Sequence, residues 1–489
     1  MTKRRIFSLL GLVFVLALVA LPVAADTTAY PDPGTGSTTT ELANKTANPA
    51  SVSIFYYDST GTSINGPTPT IPGNGSVMID PASSQLPQGF NGAGVASSNQ
   101  PLAAVVQTDY TGGTGDGYQT GFYAGVAQGS SKICFPSLWK QSSQISSFAV
   151  QNTGTSSVAV KINYKGRDGA DQGTFDDNIP VGAQHTYDLA TPGGAMPNLP
   201  DPWAGAASVT VNGAGTVAGV GTTAYAGRYT DYNAIDCATV SGATTLVIPS
   251  QFRQFSPGPV FTLWSAINIQ NLSNSTANVT IKYINRANPA DILSLNKTIA
   301  PLSAIGLNTN TGGDYPASTF SPLDVTPTWA GTAQVISDQP VVGTVLTQWK
   351  RSAGTDGAFY GSVSSTGGAT KWFVPNEKRV LSGATFQKYS ATLIQNLGTS
   401  AADVTITYYN RSGTSVLTFA NESIAAGAGL GLNTRTGGDK PASAFDPLGT
   451  SYEGHTVVTS NNGQPLAVVL NGVVNSPSQG SAATNAVPQ

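Results

Sequence analysis

Apolar and polar residues alternate along this chain in short runs, and one such run is written four times. It reads Val52-x-Ile54-x-Tyr56, Val160-x-Ile162-x-Tyr164, Val279-x-Ile281-x-Tyr283 and Val404-x-Ile406-x-Tyr408. A period of two, filled with β-branched and aromatic residues, predicts a half-buried strand. An asparagine stands eight residues before each valine, at Asn44, Asn152, Asn271 and Asn396, followed by small and polar residues that read as a turn. A hairpin turn is expected nine residues after the valine, where Gly61, Gly169 and Gly413 stand, with Asn288 in the third copy. An aromatic-x-Gly pair then opens another apolar run, as Phe90-x-Gly92, Trp203-x-Gly205, Trp329-x-Gly331 and Tyr452-x-Gly454. Three copies turn next at Gln100-Pro101, Gln339-Pro340 and Gln464-Pro465, and the second uses Gly213-Ala-Gly215. Proline cannot donate to a ladder, so a strand should begin just after it.

Apolar segments ending in proline recur as Ile133–Pro136, Leu246–Pro249, Trp372–Pro375 and Ala486–Pro488, and read as the closing strand of each copy. That division gives a leader at 26–40 and β-sandwich repeats at 41–136, 137–249, 250–375 and 376–489. The third and fourth are close relatives: Leu307–Leu323 recurs at Leu432–Leu448 with 13 of 17 residues identical. Units this long, with short strands and frequent turn signals, fit a sandwich better than a solenoid repeat or a propeller blade. The expected fold class is all-β, a tandem array of four sandwiches, and no convincing amphipathic helix interrupts it. The pattern resembles bacterial extracellular repeat proteins with immunoglobulin-like β-sandwich domains, of surface-layer, filament or matrix type. That resemblance implies a structural role at the cell surface.

The N-terminus sets the compartment. Lys3-Arg4-Arg5, the apolar run Ile6 to Leu21 and Val23-Ala24-Ala25 have the order of a secretory signal peptide, residues 1–25, so the chain is expected to be secreted to the extracellular space or cell surface. No other run suggests a transmembrane segment in the mature chain. Without the signal, 20 Lys+Arg face 26 Asp+Glu, a net charge of about −6, and there is no basic stripe for nucleic acid. Two cysteines in an exported chain favour one disulfide, Cys134 to Cys237, expected to staple the first repeat to the second.

Candidate chemistry is sparse. His185 and His455 have no equivalents in the other repeats, and no nucleophile elbow, zinc helix or phosphate loop accompanies them. The chain is therefore expected not to be an enzyme, with a secreted hydrolase as the remote alternative and no cofactor called for. Calcium is the metal to consider, at Asp168, Asp171, Asp176 and Asp177 or at Asp109 and Asp116, although Asp-Gly is first of all a hairpin turn. Thr311-Gly-Gly-Asp314 and Thr436-Gly-Gly-Asp439 read as turns before they read as sites. Phe90, Trp203, Trp329 and Tyr452 share a repeat position and are expected in cores, whereas Trp139, Trp264 and Trp349 are candidates for ligand contact or packing between repeats. The expected function is a structural rod that self-associates or joins other surface proteins in a layer, sheath or filament. The alternative is an adhesin or carbohydrate-binding surface protein whose partners are glycans.

Overall fold

The computed structural model describes residues 13–16, 34–112, 118–141, 143–225, 228–238, 244–256, 260–324, 326–351, 354–475 and 480–489. The chain is all-β, with several multi-stranded antiparallel sheets arranged as sandwiches. The alternating run forms strands Ala50–Tyr57, Val158–Gly166, Ala277–Asn285 and Ala402–Asn410. Its Val, Ile and Tyr side chains point into the cores and are buried in every copy. Strands begin at Leu102, Val341 and Leu466, directly after the Gln-Pro pairs.

The repeated asparagine does more than turn the chain. Asn152 Nδ2 donates to the carbonyls of Ser156, Ile179 and Pro180 at 2.8, 2.9 and 3.1 Å, while its Oδ1 accepts from Gly154 N at 2.8 Å. Asn44, Asn271 and Asn396 bracket their own turns in the same way. All four are buried, so each satisfies backbone groups that water does not reach and ties the turn to a strand end nearly thirty residues further on.

The proline-ended segments belong elsewhere than their sequence suggested. Ile133 lies opposite Val209, Leu246 opposite Val335 and Trp372 opposite Val458, so each segment leads the following repeat instead of closing the preceding one. These lead strands, Lys132–Gln141, Thr245–Ser256 and Lys371–Ser382, carry a register shift beside Pro136, Pro249 and Pro375. Beyond the shift each turns back in a hairpin with the strand that ends at the asparagine. The proline marks a bulge in a strand that keeps the same partner on both sides of it, which a strand-terminating proline also resembles in sequence. The short pair Val487–Pro488 instead lies against Phe373 and Trp372, as Ile235–Asp236 lies against Cys134 and Ile133.

That shift relocates the disulfide. Cys134 and Cys237 are bonded, with Cα atoms 5.9 Å apart. Cys134 sits on the lead strand of the second repeat, and Cys237 follows the short strand paired with it. The bond therefore closes the second repeat on itself and does not staple the first repeat to it.

The arrangement is not a rod. Strands Tyr118–Ala124, Arg228–Asn233, Gly354–Gly361 and Gly480–Asn485, one from each repeat, pack first on second, second on third, third on fourth and fourth on first. Strands across the diagonal also touch, so the middle is filled. The cores are shared around the same circle. Leu346 and Phe359 of the third repeat join the core of the second, and Val469 and Ala483 of the fourth join that of the third. Val105 and Phe122 of the first join the fourth, and Ala149 and Val220 of the second join the first. Closure requires close approach: a Cβ on Gly472 would fall 2.3 Å from the Phe122 ring.

Candidate functional site at the first joint

Three of the four joints are closed by an arginine. Arg167, Arg286 and Arg411 each stand fifteen residues after the repeat's asparagine, and each reaches into the next repeat around the circle. Arg167 Nη2 meets Asp314 Oδ2 at 2.6 Å and Arg286 Nη1 lies 3.7 Å from Asp439 Oδ2. Arg411 Nη2 lies 3.2 Å from Glu41 Oε2 at the joint between the last repeat and the first. Asp314 and Asp439 are the aspartates of the two Thr-Gly-Gly-Asp loops. Gly312, Gly313, Gly437 and Gly438 have φ of 93°, 74°, 88° and 73°, so these are turns as expected. The turns also present carboxylates, each pinned by a backbone N–H at 2.7 Å, to the neighbouring repeat's arginine.

The first joint lacks both partners. Ser59 occupies the arginine's place, and Gly193-Gly194 of the second repeat is followed by Ala195 where the later loops have aspartate. A cleft of about 470 Å³ lies there, lined by Ser59 and Asn91 on one side and by Phe175, Asp177, His185 and Tyr187 among others on the second. His185 Nδ1 is 2.7 Å from Asp177 Oδ2, to which Tyr187 Oη also donates at 2.9 Å. Burial pushes the Asp177 carboxyl up, but these two donors outweigh it and hold the group below the usual range. His185 Nε2 lies 3.1 Å from the Ser59 carbonyl, so this imidazole bridges the joint with both ring nitrogens engaged. Asn91 Oδ1 is buried without a hydrogen-bond partner among the described residues, and the Phe175 ring is half-buried against Tyr187 at 5.9 Å. The result is an open recess with a fixed carboxylate–imidazole pair and an aromatic surface, walled by Asn91 with its amide oxygen buried behind.

The residues singled out in the sequence scatter. Asp168 caps Ala170 N, Asp171 and Asp176 pair with Lys165 and Lys161, and Asp109 accepts from Gln107. Asp116 lies outside the described residues, among which no three His, Cys, Asp or Glu side chains converge as a metal set. Trp203, Trp329 and Tyr452 are buried and Phe90 is half-buried beside Tyr56, as core positions should be. Trp139 meets Phe359 of the third repeat at 5.9 Å, which is packing between repeats, while Trp264 donates to Gln348 within its own repeat. No helix among the described residues is long and apolar enough to cross a membrane. The paired loss of Arg and Asp at the first joint was the signal for the cleft, and it is readable only once the joints are known.

The closing joint, between the fourth repeat and the first, buries ionisable groups. Lys378 Nζ donates to Gln107 Oε1 of the first repeat at 2.8 Å, and burial lowers its pKa to about 8. Next to it, burial pushes the Glu377 carboxyl, bonded by Thr392, up to about 7. His455, buried and stacked on Tyr409, has no hydrogen-bond partner on either ring nitrogen among the described residues, and burial pulls it down to about 4. The signs are opposite. The Glu377 contribution is complete below its ordinary value of 4.5 and is lost as pH rises through about 7. The His455 contribution is complete above its ordinary value of 6.5 and is lost as pH falls towards 4. Thermal melts of single variants should separate them. Measured as differences from the parent, Glu377→Gln should remove a fall in Tm between pH 4.5 and 7 and His455→Leu a rise between pH 4 and 6.5, the fall from buried Asp231, pushed up to about 6, being common to all three. Identical profiles in the two variants would contradict the assignment.

No family model and no curated protein matches this chain. Among solved structures it is similar to Thermotoga maritima 1070 at 14% identity, over 25% of this chain and 93% of that one, with a TM-score of 0.20. Dimeric latent PorU from Porphyromonas gingivalis matches at 12% identity, over 79% of this chain and 32% of that one, with a TM-score of 0.10. Escherichia coli alpha-2-macroglobulin activated by porcine elastase matches at 10% identity, over 97% and 44%, also with a TM-score of 0.10. None of these likenesses carries an argument about fold or function.

Proposed function

We propose that this chain is an exported, non-catalytic binding protein of the cell surface or extracellular matrix, built of four immunoglobulin-like sandwiches, which holds a glycan at the first joint. The supporting observation is the cleft itself: one joint departs from the arginine–carboxylate closure of the other three, and the departure leaves polar groups and a ring facing a recess. Sugars are recognised by such a mixture, with hydroxyls bonded to amides and carboxylates and an apolar ring face laid on an aromatic. The His185 nitrogens are occupied by Asp177 and by a backbone carbonyl, which favours holding a ligand over activating a nucleophile. The signal-like N-terminus and low charge support export.

A glycan array probed with residues 26–489, followed by calorimetry on the retained sugar, tests this reading. Phe175→Ala should weaken binding about tenfold, the scale of one aromatic contact of ~1.4 kcal/mol, with the cooperative melt kept at a lower Tm because the ring also packs on Tyr187. A ring that retains no glycan, or affinity indifferent to Phe175, would sink it. The assembly reading is favoured only if the purified chain polymerises, since closure already joins the first repeat to the last.

A further inference from the structure

Each of the last three repeats is completed by its lead strand, which covers the outer edge of the aromatic-x-Gly strand. In the first repeat that strand is Ala93–Ser98, and its edge is covered by Val13–Leu16. The register is the shared one. Phe14 lies opposite Ala96, which stands four residues after Gly92 as Val209 stands four after Gly205, and Ile133 lies opposite Val209. Yet Val13–Leu16 falls inside the apolar run that reads as the core of a signal peptide. The segment that would directly precede the first repeat after cleavage, Asp26 to Pro33, holds Pro31 and Pro33 and no apolar alternation, so it is a poor substitute. Among the described strands, Ala93–Ser98 pairs with Ala50–Tyr57 on its other side and with nothing else.

We propose that in the mature chain this edge accepts a strand from another polypeptide: an extended, apolar segment of a partner protein that adds antiparallel to Ala93–Ser98 in the register taken by Val13–Leu16. The inference rests on export with cleavage, and on the slot being built in four repeats but supplied internally in only three. An unpaired edge beside a finished core provides both the ladder hydrogen bonds and the apolar floor that strand addition uses. The chemistry of the occupant follows from what fills the equivalent slots, Ile133-Cys134-Phe135, Leu246-Val247-Ile248 and Trp372-Phe373-Val374.

The test uses residues 26–489 and a labelled peptide with the sequence of Thr244–Ser250, the natural occupant of the third slot. Saturable binding is expected, abolished by N-methylation of alternate peptide amides, a change that leaves the protein untouched. Placing the same seven residues on a short linker ahead of Asp26 should raise the Tm and block the free peptide. Absence of peptide binding overturns the proposal. So does N-terminal sequencing that finds residues 13–16 still on the exported protein, which would also revise the export reading. A dimer of residues 26–489 that the peptide dissociates would put a second copy in place of the partner and overturn this assignment as well.

Discussion

Replacing Ile406 with aspartate should unfold the fourth repeat. Ile406 is fully buried between Val404 and Tyr408 in a core that includes Phe445 and Val458. An unpaired carboxylate there costs several kcal/mol, on the order of a whole domain's stability of about 5–15 kcal/mol. Thr405 and Thr407 alternate with it and are only half-buried on the opposite face. Thr407→Lys should therefore be tolerated, within about 0.5 kcal/mol of the parent. The damage should also travel, because the same core contains Val105 and Phe122 of the first repeat. Chemical denaturation with limited proteolysis would detect it as early cleavage of the fourth repeat and of its two neighbours, since Val469 and Ala483 of the fourth also complete the core of the third, with the second repeat cleaved last. Equal losses from Ile406→Asp and Thr407→Lys would refute the strand's facing.

Removing the arginine at the closing joint should be the next largest effect, and it should exceed the same change elsewhere. Glu41 is 3% exposed and has Arg411 at 3.2 Å and Ser76 Oγ at 2.6 Å as partners. Arg411→Ala strands that carboxylate in a buried site, a loss of about 3 kcal/mol at the low end for broken buried pairs, since Arg411 keeps some contact with water. Arg167→Ala removes a pair whose members are 39% and 34% exposed, so about 1 kcal/mol or less is expected. The double variant Arg411→Ala with Glu41→Gln should recover the larger part of the loss, because the more deeply buried stranded charge is Glu41, while the pair that Arg411 makes with the more exposed Glu453 at 3.1 Å stays lost. Urea midpoints measure all three. A loss at Arg167 equal to that at Arg411, or no recovery in the double variant, would remove burial of Glu41 as the cause.

The alternating Val-x-Ile-x-Tyr run determined its strands, because a period of two with β-branched side chains has one stable way to bury a face. Glycine turns were readable for a similar reason: Gly61, Gly169 and Gly413 all adopt φ near +84°, which other residues resist. The repeat itself, and the core placement of Trp203, Trp329 and Tyr452, followed from spacing alone. What spacing did not carry was direction. Pro136 ends an apolar segment whether that segment closes one repeat or opens the next, and only its pairing with Trp203–Val211 decides. That one ambiguity misplaced Cys134, and with it the disulfide. Ring against rod was likewise invisible, since both use the same repeats and differ in the angle between neighbours. It is settled by contacts such as Phe122 on Gly472, between residues hundreds of positions apart. The cleft belongs to the same class. Ser59 and the Gly193-Gly194-Ala195 turn are unremarkable until tertiary structure shows Ser59 and Gly193 lining one cleft, at the positions where the other repeats place an arginine and an acid-bearing loop.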